Sequence, residues 1–164
     1  MEAIGIRRAV LDDLEDVLWL NRELFAKEER EFDMSVDPGW TYGTGKEYFV
    51  SRLSGDGGAV FVASADGGVV GYLCGGLKAR GFRKEGTYAE LENMFVGESY
   101  RGRGAGGGLI EAFLAWCDGA GVNQVFVTAS AANVRAIDFY RRHGFGVLET
   151  TLETTRKPFG DEVK

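Results

Sequence analysis

The run Tyr100-Arg101-Gly102-Arg103-Gly104-Ala105-Gly106-Gly107-Gly108 constrains this chain more than any other. It stands between an apolar strand pattern that ends at Val96 and an apolar helical stripe that begins at Leu109. Glycines at this density tolerate positive φ and keep side chains away, so the main chain can turn sharply into a helix. The first N–H groups of that helix have no intrahelical acceptor and lie at the positive end of the helix dipole. Such a turn suits an anion, above all a diphosphate. Arg101 and Arg103 set two fixed cations beside it. The plainer alternative is a glycine-padded loop with solvated arginines, but the order strand, turn, helix favours a cradle.

Periodicity places the other elements around this turn. Residues 3–8 alternate weakly and read as a strand. Leu14, Val17, Leu18, Asn21 and Leu24 recur at helical spacing, with Asp12 or Asp13 as N-cap and an end near Glu31. Asp37-Pro38-Gly39 marks a turn, and residues 46–53 a short helix stopped by Gly55. Apolar runs at 59–63 and 69–74, separated by Ser64-Ala65-Asp66-Gly67-Gly68, predict a hairpin. Residues 88–96 form a strand, 104–119 a helix, 124–128 a buried strand, and 133–142 a helix ended by Gly144. Residues 145–155 carry a last strand pattern. This order predicts one α+β domain over residues 1–164, with helices on both faces of a mixed sheet.

Composition narrows the chemistry. The 164 residues hold 25 glycines, about twice the usual share, yet only 2 prolines and no Gly-X-Y period, which excludes collagen. Two cysteines, Cys74 and Cys117, and the single His143 are too few for the usual zinc sites, so no metal is expected. Gly97-Glu98-Ser99-Tyr100-Arg101 has arginine where a serine-hydrolase elbow needs its second glycine. A net charge of −6 argues against a nucleic-acid partner. No stretch reaches the ~18–20 apolar residues of a membrane span, and Asp12 and Asp13 stand where a signal peptide would be apolar, so the cytoplasm is expected.

Gly102-x-Gly104-x-x-Gly107 formally matches the dinucleotide fingerprint, but the next strand ends Val127-Thr128-Ala129-Ser130, without the acid that grips a ribose. No Gly-Lys-Ser/Thr is present for a P-loop. In company the loop says more. Arg101-x-x-Gly104-x-Gly106, preceded by Phe95-Val96-x-x-x-Tyr100, resembles the acyl-CoA signature of the GNAT N-acetyltransferase superfamily. Asn133-x-x-Ala136-x-x-Phe139-Tyr140, followed by Gly144-Phe145, resembles its second motif. The resemblance spans essentially the whole chain and is weakest from Phe25 to Gly57. It implies a three-layer, largely antiparallel sheet of about six to seven strands with helices on both faces, and acetyl-CoA as co-substrate.

By this resemblance the diphosphate lies on Arg101, Gly102, Arg103, Gly104, Ala105, Gly106 and Gly107. Main-chain N–H groups near Phe95 and Val96 polarise the thioester, where a splayed strand leaves a gap for pantetheine. Asn133 and Ala136 lie along the pantetheine arm, Asn133 also being suited to cap its helix. Tyr140, a phenol protonated at neutral pH, is the expected acid for the departing thiolate; the alternative is a core aromatic. Glu92 is the expected base for the amine. Glu90 and Glu92 share a strand face by the period of two, and a like charge makes a carboxylate a better proton acceptor; the alternative is a solvated strand face.

The acceptor is less legible. From Asp12 to Asp37 acids outnumber bases roughly threefold, with Glu28, Glu29, Glu31, Asp33 and Asp37 bunched at the end. This predicts a small cationic amine, polyamine- or aminoglycoside-like; a peptide N-terminus is the alternative acceptor. A non-catalytic acyl-CoA sensor is the rival class, which the presence of Glu92 and Tyr140 disfavours. A homodimer is compatible with the family.

Overall fold

The hairpin expected around Asp66-Gly67 lies at the centre of the structure. In the computed structural model, which describes residues 2–160, β1 (Gly5–Arg8), β2 (Gly58–Ala65), β3 (Gly68–Leu77), β4 (Tyr88–Val96) and β5 (Gln124–Val127) form one sheet in chain order. The first three pairings are antiparallel and β4–β5 is parallel. Asp66 and Gly67 both take positive φ, 52° and 79°, which matches the turn twist that right-handed strands require. The parallel step needs a crossover, supplied by α3 (Ala105–Gly119).

Two cores sandwich the sheet. On one face Ala59, Phe61, Ala63, Leu73, Ala89 and Leu91 pack under Leu109, Ile110 and Phe113 of α3, with Phe139 and Tyr140 of α4 (Val134–Arg142) at the margin. On the other, Val60, Val62, Tyr72 and Cys74 meet α1 (Leu14–Glu31) and α2 (Thr44–Ser54). Asn21 is the polar member of the α1 stripe and is fully buried. Its amide donates to Tyr72 Oη at 2.9 Å and accepts from Thr41 at 2.7 Å, tying α1 to β3 and to the turn at Pro38–Tyr42. No helix among the described residues is long and apolar enough to cross a membrane.

The structure departs from the sequence reading in three places. Among the described residues the sheet has five strands rather than six or seven. Residues 145–155 form no strand; beyond the half-buried Phe145 they are exposed, and their apolar Val147 and Leu152 find no sheet edge to join. Asp13 does not cap α1 with its side chain. Its carboxylate instead receives both Arg7 guanidinium nitrogens, at 2.7 and 2.8 Å, and the Val10 N–H at 2.8 Å.

Candidate functional site

β5 stops at Val127, which pairs with Leu91, while β4 continues to Val96. Beyond Leu91 the outer edge of β4 has no strand beside it among the described residues. Gly97 N–H donates to Val70 O of β3 at 2.8 Å, so alternation turns the Val96 N–H and C=O away from β3 and into this gap. The Arg101 Nε–H donates to Val96 O at 2.9 Å, and its guanidinium lies over the Phe95 ring. The Val96 N–H stays open to the gap, whereas Phe95, one step off in the alternation, turns its own toward β3.

The chain then winds through a short turn, Glu98–Tyr100, into the glycine run. Gly102 and Gly104 have φ of 71° and 86°, the left-handed region that a Cβ opposes. Gly104 is the N-cap of α3 and offers no side chain. From Gly102 to Gly107 no backbone N–H has an acceptor among the described residues; the first engaged one is Gly108, which donates to Gly104 O. Six successive donors are left at the positive end of a four-turn helix. Gly106 and Gly107 have a second reason to be glycine. A Cβ at Gly106 would lie 3.0 Å from the Phe139 ring, and one at Gly107 would lie 3.3 Å from His143, so α3 and α4 approach there through bare backbone. Arg103 donates to Glu2 O and flanks the Tyr100 ring.

Asn133 caps α4: its Oδ1 accepts from the Ala136 N–H at 3.1 Å. That cap starts α4, and Tyr140 lies two turns on. Tyr140 packs with the α3-side core, between Phe139 and Phe145. Burial pushes its phenol up to about 12, and Glu28 of α1, on the opposite face of the sheet, adds to the shift. A side chain that belongs to one core yet feels a carboxylate from the other sits where the sheet is open between them. Burial also raises the Glu28 carboxyl above its ordinary range.

Glu92 lies on the α2 side, in surroundings that the sequence did not reveal. β4 is bulged: Leu91 faces Gly75 and Asn93 faces Cys74, leaving Glu92 as the extra residue. Alternation therefore changes phase. Glu90, Glu92, Asn93 and Phe95 share one face, and Asn93 does not turn with Leu91 as a regular strand would have it. Tyr48 donates to Glu92 Oε2 at 2.5 Å, while Arg52 forms an ion pair with Oε1 and lies over the Tyr48 ring. The Asn93 amide donates to Tyr48 Oη at 3.1 Å, and the fully buried Cys74 thiol lies 3.4 Å from it. Glu90 has its own cation, Lys78, at 3.2 Å, so each carboxylate meets a positive charge rather than the other. Two acceptors remain buried without hydrogen bonds: Glu92 Oε1, whose contact with Arg52 lacks the geometry, and Asn93 Oδ1. Burial raises the Tyr48 phenol far above its usual range and pushes the Cys74 thiol up to about 12. Tyr48 and Arg52 were legible only as an i, i+4 pair on a short helix.

The acidic end of α1 is largely occupied. Asp33 accepts from Ser35, Asp37 from the Gly39 N–H, and Glu31 lies 3.7 Å from Lys27. A groove of about 510 Å³ has Glu29, Glu31 and Asp33 on one wall and the chain's own Arg156 and Lys157 on the other. Glu28 is the acid of that run whose charge is felt at Tyr140.

The model of the Acetyltransferase (GNAT) family matches residues 14–145, from the first turn of α1 to the residue that packs on Tyr140. The chain belongs to this family. Among curated relatives, an uncharacterised N-acetyltransferase of Methanocaldococcus jannaschii is 30% identical over 142 residues, covering 85% of this chain and 59% of that protein. One from Bacillus subtilis is 33% identical over 61 residues, 37% of this chain and 25% of that protein. The chain thus spans less than two thirds of the length of these relatives. Its fold matches that of the aminoglycoside N-acetyltransferase AAC(6')-Iy solved with CoA, with a TM-score of 0.74 at 22% identity over 96% of this chain and 97% of that one. A Bacillus halodurans protein, BH1408, superposes with a TM-score of 0.75 at 19% identity, covering 92% and 99%. GNAT membership rests on the sequence match, and these likenesses extend to the fold.

Proposed function

We propose that this protein transfers an acetyl group from acetyl-CoA directly to a primary amine, the acceptor being a small molecule that is cationic in solution. The observation that carries the reading is the continuity of the open main-chain donors. The Val96 N–H faces the gap in β4, and the N–H groups from Gly102 to Gly107 follow; in this reading Tyr140 of α4 serves the junction between them. The residues present fit the co-substrate: bare N–H groups, Arg101 and Arg103 suit a diphosphate, and a single-file gap between strands suits a pantetheine arm.

In this reading the Val96 N–H polarises the thioester carbonyl, a donor aimed where negative charge grows. The neutral amine attacks that carbon, the C–N bond forms and the C–S bond breaks. Glu92, directly or through water, accepts the proton that the nitrogen sheds. Tyr140 donates its proton to the leaving thiolate and regains one from solvent, a transfer its raised pKa still permits because the thiolate lies close by in a dry gap. Glu28, beside Tyr140, attracts the ammonium form before it is deprotonated. The AAC(6')-Iy structure with a CoA–acetylneamine bisubstrate analogue supports a cationic acceptor for a fold of this kind. Two buried free thiols are in keeping with a reducing, cytoplasmic setting.

The test is acetyl-CoA consumption over an amine panel, with Tyr140→Phe and Glu92→Gln alongside. Both variants should keep CoA binding by calorimetry and lose turnover. Consumption unaffected by either substitution would defeat the mechanism, and no heat with CoA would defeat the reading itself.

A further inference from the structure

We propose that Arg80 and Arg83 form a carboxylate-binding subsite on the acceptor side of the sheet, so that the amine acetylated here also carries a carboxylate. The inference rests on the acetyl-transfer reading and revises its acceptor: only the amino end is cationic, and the molecule as a whole is a zwitterion.

The two arginines lie in the loop between β3 and β4, where the Arg83 N–H donates to Arg80 O at 2.9 Å. That tight turn brings both guanidiniums to one place. Arg80 is stacked 4.2 Å from the Phe126 ring centroid, with its side chain only 12% exposed. The facing carboxylate is Glu149, on the irregular C-terminal segment and 67% exposed. It stands 3.9 Å from Arg80 Nη2 and 3.8 Å from Arg83 Nη2, beyond hydrogen-bond reach of both. Arg80 Nη1 and Arg83 Nε are buried and have no acceptor among the described residues. Buried donors on a charged group are costly when unmet, and native structures leave few of them. Two cations share one distant carboxylate, in a protein whose net charge is −6.

The chemistry of the missing partner follows from the donors. A guanidinium presents a planar fork of N–H groups that matches the two oxygens of a carboxylate. Two such forks, one fixed on an aromatic ring, grip a single carboxylate from two sides. Glu149 stands at the mouth of the site as a weak occupant that a ligand can displace.

The location ties the subsite to the acceptor. Val125 and Val127 face the α3-side core, so Phe126 faces the side of α1 and α2. Phe126 pairs with Glu90 across β4–β5, and Glu92 lies one strand over and two residues along on that same face. From strand spacing and rise, the backbones at Phe126 and Glu92 are roughly 8 Å apart. An amine at Glu92 whose carboxylate lies on Arg80 and Arg83 is therefore an ω-amino acid or a short peptide, rather than a simple polyamine.

Matched acceptors test this: ε-aminocaproate against its amide, and glycylglycine against its amide, compared by kcat/KM. The free acids should be favoured about tenfold or more, the scale of a charge-assisted hydrogen-bonded pair. The Arg80→Gln/Arg83→Gln double variant should bring the ratio close to one. Glu149→Gln, at an exposed position that the fold does not need, should raise the ratio, a gain that a purely structural ion pair would not give. Equal rates for acid and amide in the unaltered protein, or equal loss of both in the double variant, would overturn the subsite. If no amine consumes acetyl-CoA, the transfer reading fails and calorimetry with ε-aminocaproate and its amide still decides. Binding of the acid alone, tightened by Glu149→Gln, supports the subsite; no binding of the acid overturns it.

Discussion

Tyr48 of α2 donates a 2.5 Å hydrogen bond to Glu92 Oε2 on β4, and the same hydroxyl oxygen accepts from Asn93 at 3.1 Å. One phenol thus fixes two neighbouring side chains that the β4 bulge has turned to one face. Replacing Tyr48 by Phe leaves both partners unmet in a buried setting. The expected cost is about 1–3 kcal/mol of unfolding free energy, read as a lower urea midpoint. Turnover should fall and the pH–rate profile should move, with KM for acetyl-CoA little changed, because Tyr48 positions Glu92 rather than touching the co-substrate.

Tyr140→Phe should lower kcat by about 10²–10⁴-fold, the range for loss of a positioned acid. The phenol is pushed up to about 12, so its acid form persists well beyond the usual tyrosine range. The rate should therefore rise with pH as the amine becomes neutral, without the early alkaline fall that a tyrosine of ordinary pKa would impose. A fall centred near pH ~10, the ordinary tyrosine value, would contradict the assignment.

Two glycine substitutions in and beside α3 should act in opposite directions. Gly104 has φ of 86°, so Gly104→Ala should cost about 1–2 kcal/mol through left-handed strain, and should weaken CoA binding in calorimetry. Gly119 ends the same helix with open space around the position of a Cβ. Gly119→Ala should be neutral or stabilising by up to about 1 kcal/mol, with CoA binding unchanged.

Asp13 gives a pH-dependent contribution to stability. Its carboxyl is held below the ordinary range, first by the Arg7 hydrogen bonds and further by the Val10 N–H, against the opposing effect of burial. The folded chain therefore takes up this proton at lower pH than the unfolded chain does. The resulting stability is complete above the ordinary aspartate range near ~4 and is lost as pH falls through the lower folded value. Urea midpoints of the protein and of Asp13→Asn should differ at neutral pH and converge in acid, below the lowered folded value.

Much of this architecture was legible in the sequence because it rests on local rules. The Asp66-Gly67 hairpin, the α3 stripe and the Asn133 cap each follow from a few adjacent residues, and each is present in the structure. What escaped depends on contacts between distant segments. The apolar alternation of residues 145–155 is as good as that of β1, yet no strand edge receives it, and pattern alone does not supply a partner. The bulge at Glu92 leaves no mark in the sequence of β4, because it arises from the match of β4 to Cys74 and Gly75. The period of two thus placed Asn93 on the wrong face. The link from Tyr48 and Arg52 to Glu92 was missed for the same reason, since that partner lies some forty residues away. The α1 acids were visible as a cluster, but not that Asp33 and Asp37 are engaged in local turns while the charge of Glu28 is felt at Tyr140.

Cys74 and Cys117 should resist alkylation in the folded protein. Their thiols are pushed up to about 12 and about 11, chiefly by burial, so little thiolate is present at neutral pH. Labelling followed by mass spectrometry should find both unmodified until denaturant is added.

The extra residue in β4 also sets what this strand can tolerate over evolutionary time. Losing Glu92 would delete the acid yet restore plain alternation: Leu91 and Asn93 already lie on opposite faces, so Phe95 would keep to the α2 side and Val96 to the α3 side. Past the bulge there is no such slack, and a change of one residue would swap the sides of all that follow. Length variation should therefore be common at the Asp66-Gly67 tip and in the loop before β4, where no downstream parity depends on it. Between Met94 and Gly97 a gain or loss of one residue should be as damaging as losing the strand altogether.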